Sequence, residues 1–251
     1  MKKQTLEKLK ELTLHGMARA YEEQLAMPNS QVLPFDDRLG LLIDREETDR
    51  LDKRYQRRLK TARLREKAAI EDLEFTPQRG LDKGFILSLA SCKWIDGKQH
   101  ILITGLTGAG KTYLACALAN KAMQRGYSVR YVRVPRLLQD FATARASGEY
   151  LKLLSSLSRI DVLLLDDWGL APLGGDQRRD FLELVEDRYG TRSLIMTSQL
   201  PVDKWYDVIG DPTIADATLD RIVHRSHRLE LKGDESIRRR KARELAAKEE
   251  E

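Results

Sequence analysis

The sequence predicts an α/β protein: a five-stranded parallel sheet flanked by helices, preceded by a small N-terminal helical domain. Three observations predict it. From about residue 95, short apolar runs rich in β-branched residues alternate with helical stretches of ten or more residues, as in a parallel sheet covered on both faces. Before about residue 70 the apolar residues recur at helical spacing instead. Between the first apolar run and the helical stretch after it lies a glycine-rich loop.

In chain order, Leu6, Leu9, Met17, Tyr21 and Leu25 predict one amphipathic helix with charged residues between them. The two prolines of "MPNSQVLPF" end it. Asp36 or Asp37 then caps a second helical stretch carrying Leu39, Leu42, Ile43, Leu51, Tyr55 and Leu59. These elements make residues 1–70 a helical module for DNA or a partner, and residues 71–94 bridge it to the strands. The strands are "HILITG", "SVRYVRV", "DVLLLDD", "SLIMTSQ" and "HRLELKG", which place the sheet domain at 71–232. Residues 233–251 suffice for one helix with a charged end.

With 251 residues, 41% of them hydrophobic, the chain can bury one substantial core and a smaller attached module. The net charge of +5 arises from 44 basic against 39 acidic residues, so its distribution matters more than its size. Cys92 and Cys116 have no metal-like spacing, which excludes a disulfide framework and fits a reducing, cytoplasmic setting. Charges every few residues at the N-terminus, and no window of about 18 apolar residues, predict a protein neither exported nor membrane-spanning.

"GLTGAGKT" follows the first strand and fits G-x-x-x-x-G-K-[ST] without a mismatch. Gly105, Gly108 and Gly110 allow a tight turn whose amides face a polyphosphate, and the helix beginning near Lys111 adds its positive N-terminal end. The nucleotide-binding set therefore runs through Gly105, Leu106, Thr107, Gly108, Ala109, Gly110, Lys111, Thr112 and Tyr113, with Lys111 on the β- and γ-phosphates. Two carboxylates end the third strand in "RIDVLLLDDWGLAPL". A buried carboxylate is costly without a cation or donors. Given the loop, Asp166 and Thr112 hold Mg2+, and Asp167 orients or deprotonates the attacking water. "NKAM" lacks the aspartate of a guanine reader, so the nucleotide is ATP. Thr197, Ser198 and Gln199 tip the fourth strand, where ligands gather at the carboxyl ends of parallel strands, and Gln199 is placed to position the water.

The strongest charge bias is "KRYQRRLKTARLREK", residues 53–67, read as a basic helix in which only Glu66 is acidic. Lys53, Arg54, Arg57, Arg58 and Lys60 suit sequence-tolerant contact with the phosphates of duplex DNA. A solvated helix face is the competing reading. His224 and His227 have no third ligand at metal spacing.

With these motifs the chain resembles the AAA+ ATPases of the initiator and helicase-loader clade, and within it the IstB-like transposition helper proteins of insertion sequences. The resemblance covers nearly the whole length and rests on "GLTGAGKT", "DVLLLDDWG", "IMTSQLPVDKWYDVIGDPTIADATLDRIVHRSHRLELKG" and "ESIR". It implies a homo-oligomer on DNA, with ATP sites at subunit interfaces, that assists a transposase. By position it makes Gln199 the first sensor, where asparagine is common in wider relatives, Arg221 the arginine finger and Arg238 the second sensor. Asp167 stands where many relatives have glutamate, and its shorter arm suits slow hydrolysis. The short tail implies a reduced or absent C-terminal lid. "PRLLQDFATARASGEYLKLLSSLSRI" resembles the extra helical element of the clade that lines the DNA path, adding Arg136, Arg145 and Lys152 as phosphate contacts. A replicative helicase loader shares the ATPase core and remains the alternative. A small-molecule kinase lacks an evident acceptor pocket.

Overall fold

The computed structural model describes residues 2–27, 33–75 and 80–232. The chain divides into two compact units, Met1–Lys60 and Thr61–Glu251.

In the first unit the single N-terminal helix of the expectation is two, α1 (Lys2–Glu11) and α2 (His15–Ala26). The break falls at Thr13, whose φ of 59° lies in the left-handed region and cannot continue a helix. A long helix, α3 (Phe35–Ala62), follows, with Asp36 and Asp37 in its first turn, where they meet the positive end of the helix dipole. It ends at Ala62, and Arg63 takes a φ of 53°. The basic run through Lys67 is therefore not one continuous helix. Helices α2 and α3 meet at Gly16, where a Cβ would stand 2.6 Å from the Glu46 Cα. Leu14 supplies no side-chain cap to α2. Glu46 does that work from α3, accepting from the amides of Gly16 (2.7 Å) and Met17 (3.1 Å). Burial opposes the charge, yet Arg50 and these amides hold the Glu46 carboxyl below its ordinary pKa.

The second unit begins with two short helices in the segment expected only to bridge. In α4 (Lys83–Ala90), Asp82 is the N-cap and accepts from the Phe85 amide at 2.8 Å; α5 (Lys93–Asp96) follows. Next come β1 (His100–Gly105), α6 (Lys111–Gln124), β2 (Val129–Arg133), α7 (Val134–Ala146) and α8 (Tyr150–Ser158). Then β3 (Val162–Trp168), α9 (Gly175–Arg188), β4 (Ser193–Ser198), α10 (Trp205–Ile209), α11 (Pro212–Val223) and β5 (Ser226–Leu231) complete the unit. Strands β1, β2 and β4 fall within their expected apolar runs, while β3 extends one residue past its run to Trp168 and β5 begins one residue before its run at Ser226. All pairings are parallel, in the order β2-β3-β4-β1-β5. The sheet is buried on both faces: Ile101, Leu102, Ile103, Leu163, Leu164, Leu165, Ile195 and Met196 have no measurable exposure. On one face Trp168 stacks on Phe181 with ring centroids 4.4 Å apart, beside Trp205.

This order sets β4 between β3 and β1, so the carboxyl ends of the three central strands converge on the loop after β1. Among the described residues no helix is long and apolar enough to cross a membrane. Arg238 and the short tail at 233–251, expected to leave a reduced or absent lid, lie outside the described residues.

Candidate active site

Strand β1 ends at Gly105, whose φ is 144° and whose Cβ, were there one, would lie 2.4 Å from the Leu231 carbonyl oxygen of β5. Only glycine fits so close to a neighbouring backbone. The loop then delivers Lys111 to the first turn of α6. Its Nζ donates to the carbonyls of Gly105 (2.7 Å) and Leu106 (2.9 Å). Burial pushes the Lys111 pKa down, against the opposing charges of Asp166 and Asp167. Thr112 Oγ1 donates to Asp166 Oδ1 at 2.9 Å.

The adjacent carboxylates are separated by a bulge. Pairing between β3 and β4 passes from Leu165–Met196 to Trp168–Ser198, so three steps on β3 match two on β4. Asp167 takes up the extra length with a φ of 63°, and the bulge re-aims its side chain. Asp166 is completely buried, whereas Asp167 faces a cleft of about 440 Å³ beside Thr107, Lys111, Thr112 and Gln199. Arg133 Nε reaches Asp167 Oδ2 at 2.8 Å. Four donor groups meet the buried Asp166. Thr112 and Thr197 donate to Oδ1, Tyr131 donates to Oδ2 at 2.7 Å, and Arg65 approaches Oδ2 at 3.7 Å. This answers the desolvation cost of the charge. Gln199 Oε1 accepts from Thr107 Oγ1 at 2.8 Å, so the tip of β4 is tied to the loop.

Asp72, Leu73 and Glu74 line the same cleft, and Tyr113 hydrogen-bonds the Ala69 backbone and Asp72. Sequence reasoning missed this wall, and it missed Arg65, Tyr131 and Arg133. A signal existed for the last two: they alternate on β2 toward its carboxyl end, where ligands gather. Arg65 is hidden in the basic run.

Arg221, on α11, donates to the Ala217 carbonyl (2.6 Å), pairs with Glu186 of α9 (3.1 Å) and sits 5.9 Å from the centre of the Tyr189 ring. It lies one turn before Arg225 and Ser226, which bond and pair with His100 at the amino end of β1. The loop is at the other end of that strand, about 16 Å away. Of the expected DNA contacts, Arg54, Arg57 and Lys60 are exposed and Arg58 is half-buried, while Lys53 pairs with Asp49 at 2.6 Å. Arg136 and Lys152 are well exposed and pair with Asp140 on the same helix and with Glu149, the N-cap residue of α8. Arg145 is partly exposed, is bound by the buried carboxylate of Asp180 and lies over the Tyr150 ring at 3.9 Å, which ties α7 and α8 to α9.

The oxygen pair of Thr112 and Asp166, beside the Lys111 ammonium, fits Mg2+, which takes one or two carboxylates plus substrate phosphates. Among the described residues no cluster of three histidines, cysteines or carboxylates offers a protein-only metal cage.

Comparison with known proteins agrees with this arrangement. Residues 7–245 match the family of IstB-like ATP-binding proteins. The insertion sequence ATP-binding protein y4pL of Sinorhizobium fredii is 47% identical over 239 residues, covering 95% of this chain and 97% of that protein. The ATP-binding protein of insertion sequence IS1162 from Pseudomonas fluorescens is 50% identical over 202 residues, 80% of this chain and 87% of its own. Among solved structures the fold is similar to DnaI (TM-score 0.58, 21% identity, 66% of this chain and 92% of that one). It is also similar to AMPPCP-bound DnaA from Aquifex aeolicus (TM-score 0.57, 20% identity), where 74% of this chain spans just over half, 56%, of the DnaA chain. The chain belongs to the IstB-like ATP-binding proteins and is a P-loop ATPase.

Proposed function

We propose that this ATPase is an ATP-dependent helper of DNA transposition, which assembles on duplex DNA as a homo-oligomer and recruits or stimulates a transposase at the target. The observation that carries the reading is the match, nearly end to end, with insertion-sequence ATP-binding proteins.

The triphosphate of ATP lies along the loop, and the Lys111 ammonium turns from the Gly105 and Leu106 carbonyls to the β- and γ-phosphates. Thr112 and Asp166 would hold Mg2+, which when bound would supply positive charge to the phosphates. Asp167 leaves Arg133 to accept the proton of the attacking water, and Gln199 orients that water from the tip of β4. Arg221 cannot reach the phosphates of its own chain from the amino end of β1, so a finger role for it requires a second copy of the protein. A guanidinium suits that task because it stays charged and contacts two phosphate oxygens at once. Arg54, Arg57, Arg58 and Lys60 meet the DNA backbone without reading bases.

Reconstitution tests the whole reading. Strand transfer by an integrase-like transposase from the same insertion sequence should rise when the protein and ATP are added, and should not rise with Lys111→Ala. DNA affinity should fall steeply with salt, with a shallower slope for the combined Arg54→Gln, Arg57→Gln and Arg58→Gln variant. Stimulation of a replicative helicase with no effect on strand transfer would replace the transposition reading with the loader.

A further inference from the structure

The Asp166 carboxylate is divided between two sides. Oδ1 faces the phosphate loop and receives Thr112 and Thr197; Oδ2 faces away from it and receives the Tyr131 hydroxyl at 2.7 Å, with Arg65 at 3.7 Å. We propose that Tyr131 is a positioning residue for the hydrolysis reaction, with Arg65 as its second link, holding Asp166 in the orientation that presents Oδ1 to Thr112 and the metal-bound phosphates.

The proposal rests on reading Thr112 and Asp166 as the magnesium holders. Its physical basis is the complete burial of Asp166. An oxygen that faces protein on every side must be satisfied by protein, and on the far side the phenol is its nearest donor. Without it the carboxylate would rotate to share the two threonines, and that change weakens Oδ1 as a ligand. The tyrosine is suited to a fixed donor. It stands on β2, which pairs directly with β3, so its hydroxyl approaches Asp166 from a hydrogen-bonded neighbouring strand, and Arg65 adds a positive charge 3.7 Å from the same oxygen. Tyr131 stands on β2 two residues before Arg133, so one edge strand orients both acidic residues: Tyr131 the buried one and Arg133 the one facing the cleft.

The test is binding of a fluorescent ATP analogue to the full chain, titrated with Mg2+ and repeated in EDTA. For Tyr131→Phe, which removes only the hydroxyl, affinity in EDTA should match wild type. The Mg2+ concentration for half-maximal enhancement should rise roughly tenfold, as for other losses behind a metal ligand. Arg65→Gln should shift it the same way by less. A purely structural role would lower the melting temperature and leave the Mg2+ titration unmoved. A folded Tyr131→Phe protein with the wild-type Mg2+ dependence overturns the proposal. Should that variant fail to fold, Arg65→Gln decides by the same criterion. Asp166→Asn separates the two layers: if it keeps the full Mg2+ enhancement, the magnesium reading falls and the positioning role with it.

Discussion

The two ends of the sheet bury polar groups equally deeply but put them to different uses. At the carboxyl end Asp166 is fully buried and Lys111 nearly so, and their neighbours Asp167 and Gln199 open onto a cleft. At the amino end Arg188 is fully buried and donates to the carbonyls of Leu157 (2.6 Å), Ile160 (2.9 Å), Ser193 (2.6 Å) and Asp161 (3.4 Å). There His100 Nδ1 accepts from the Leu194 amide at 3.1 Å. Perturbations of similar size occur at both ends: at this second end burial lowers Arg188 to about 9 and His100 to about 4, and at the first it raises Tyr131 beside Asp166. A shifted pKa is thus a poor guide to chemistry in this molecule. What distinguishes the ends is access to the cleft. The Arg188 guanidinium lies in the interior, its two terminal nitrogens on backbone carbonyls that close strand ends and its Nε without a hydrogen-bond partner among the described residues, whereas Lys111 lines the cleft.

Removing the central cation at each end makes the contrast measurable. Lys111→Ala should abolish nucleotide binding and lower hydrolysis by on the order of 10³-fold or more, with the thermal transition close to wild type. Calorimetric ATP titration beside a melting curve checks both halves. Arg188→Ala should do the reverse. Four carbonyls lose their donor in a dry interior, a loss of about 4 kcal/mol in urea unfolding, while the remaining folded protein should bind ATP with unaltered affinity. A stable Arg188→Ala protein would remove the structural half of the comparison.

Acid sharpens it at the amino end. The His100 ring is neutral in the fold, and its pKa of about 4 lies below the ordinary 6.5. The unfolded chain therefore takes up a proton first as pH falls. The stability due to a neutral His100 is complete above pH 6.5 and is lost as pH drops to about 4, by about 3 kcal/mol. Urea midpoints at pH 7 and 4.5 should converge in His100→Gln relative to wild type, since the variant has no ring to protonate. Equal slopes in the two proteins would show that other groups carry the acid sensitivity.

Much of the catalytic end was legible from sequence because its signals are local. "GLTGAGKT" and "LLLDD" each declare themselves within eight residues, and the β-branched runs mark the strands on which they sit. The partners of Asp166 were not legible for a geometric reason. Tyr131 reaches it because β2 lies beside β3, and no pattern within either strand states that order. Arg65 was absorbed into a basic helix because neither glycine nor proline marks the end of α3; an arginine in the left-handed region does. The division of the N-terminal helix at Thr13 escaped for the same reason. The ion pair of Arg145 was not legible because its partner, Asp180, lies 35 residues away on α9.

The smallest predicted effect compares the two ends within one strand. Strand β4 begins with Ser193 and ends with Ser198, both without measurable exposure. Ser198 Oγ donates to the Trp168 carbonyl at 2.8 Å and accepts from the Leu200 amide at 3.0 Å, closing the bulged end of β3 and the turn that carries Gln199. Ser193 Oγ has no hydrogen-bond partner among the described residues, although its backbone carbonyl is held by Arg188. Serine and alanine differ by one hydroxyl, so the same substitution should give different results. Ser198→Ala strands a buried carbonyl and a buried amide and should cost about 2 kcal/mol, with a loss of hydrolysis beyond that of stability because Gln199 loses its anchor. Ser193→Ala removes a buried hydroxyl that bonds nothing and should change stability by under about 0.5 kcal/mol. Urea unfolding of the two variants with hydrolysis at saturating ATP decides it. A Ser193→Ala cost equal to that of Ser198→Ala would mean that the amino end depends on side-chain hydroxyls as well as on Arg188.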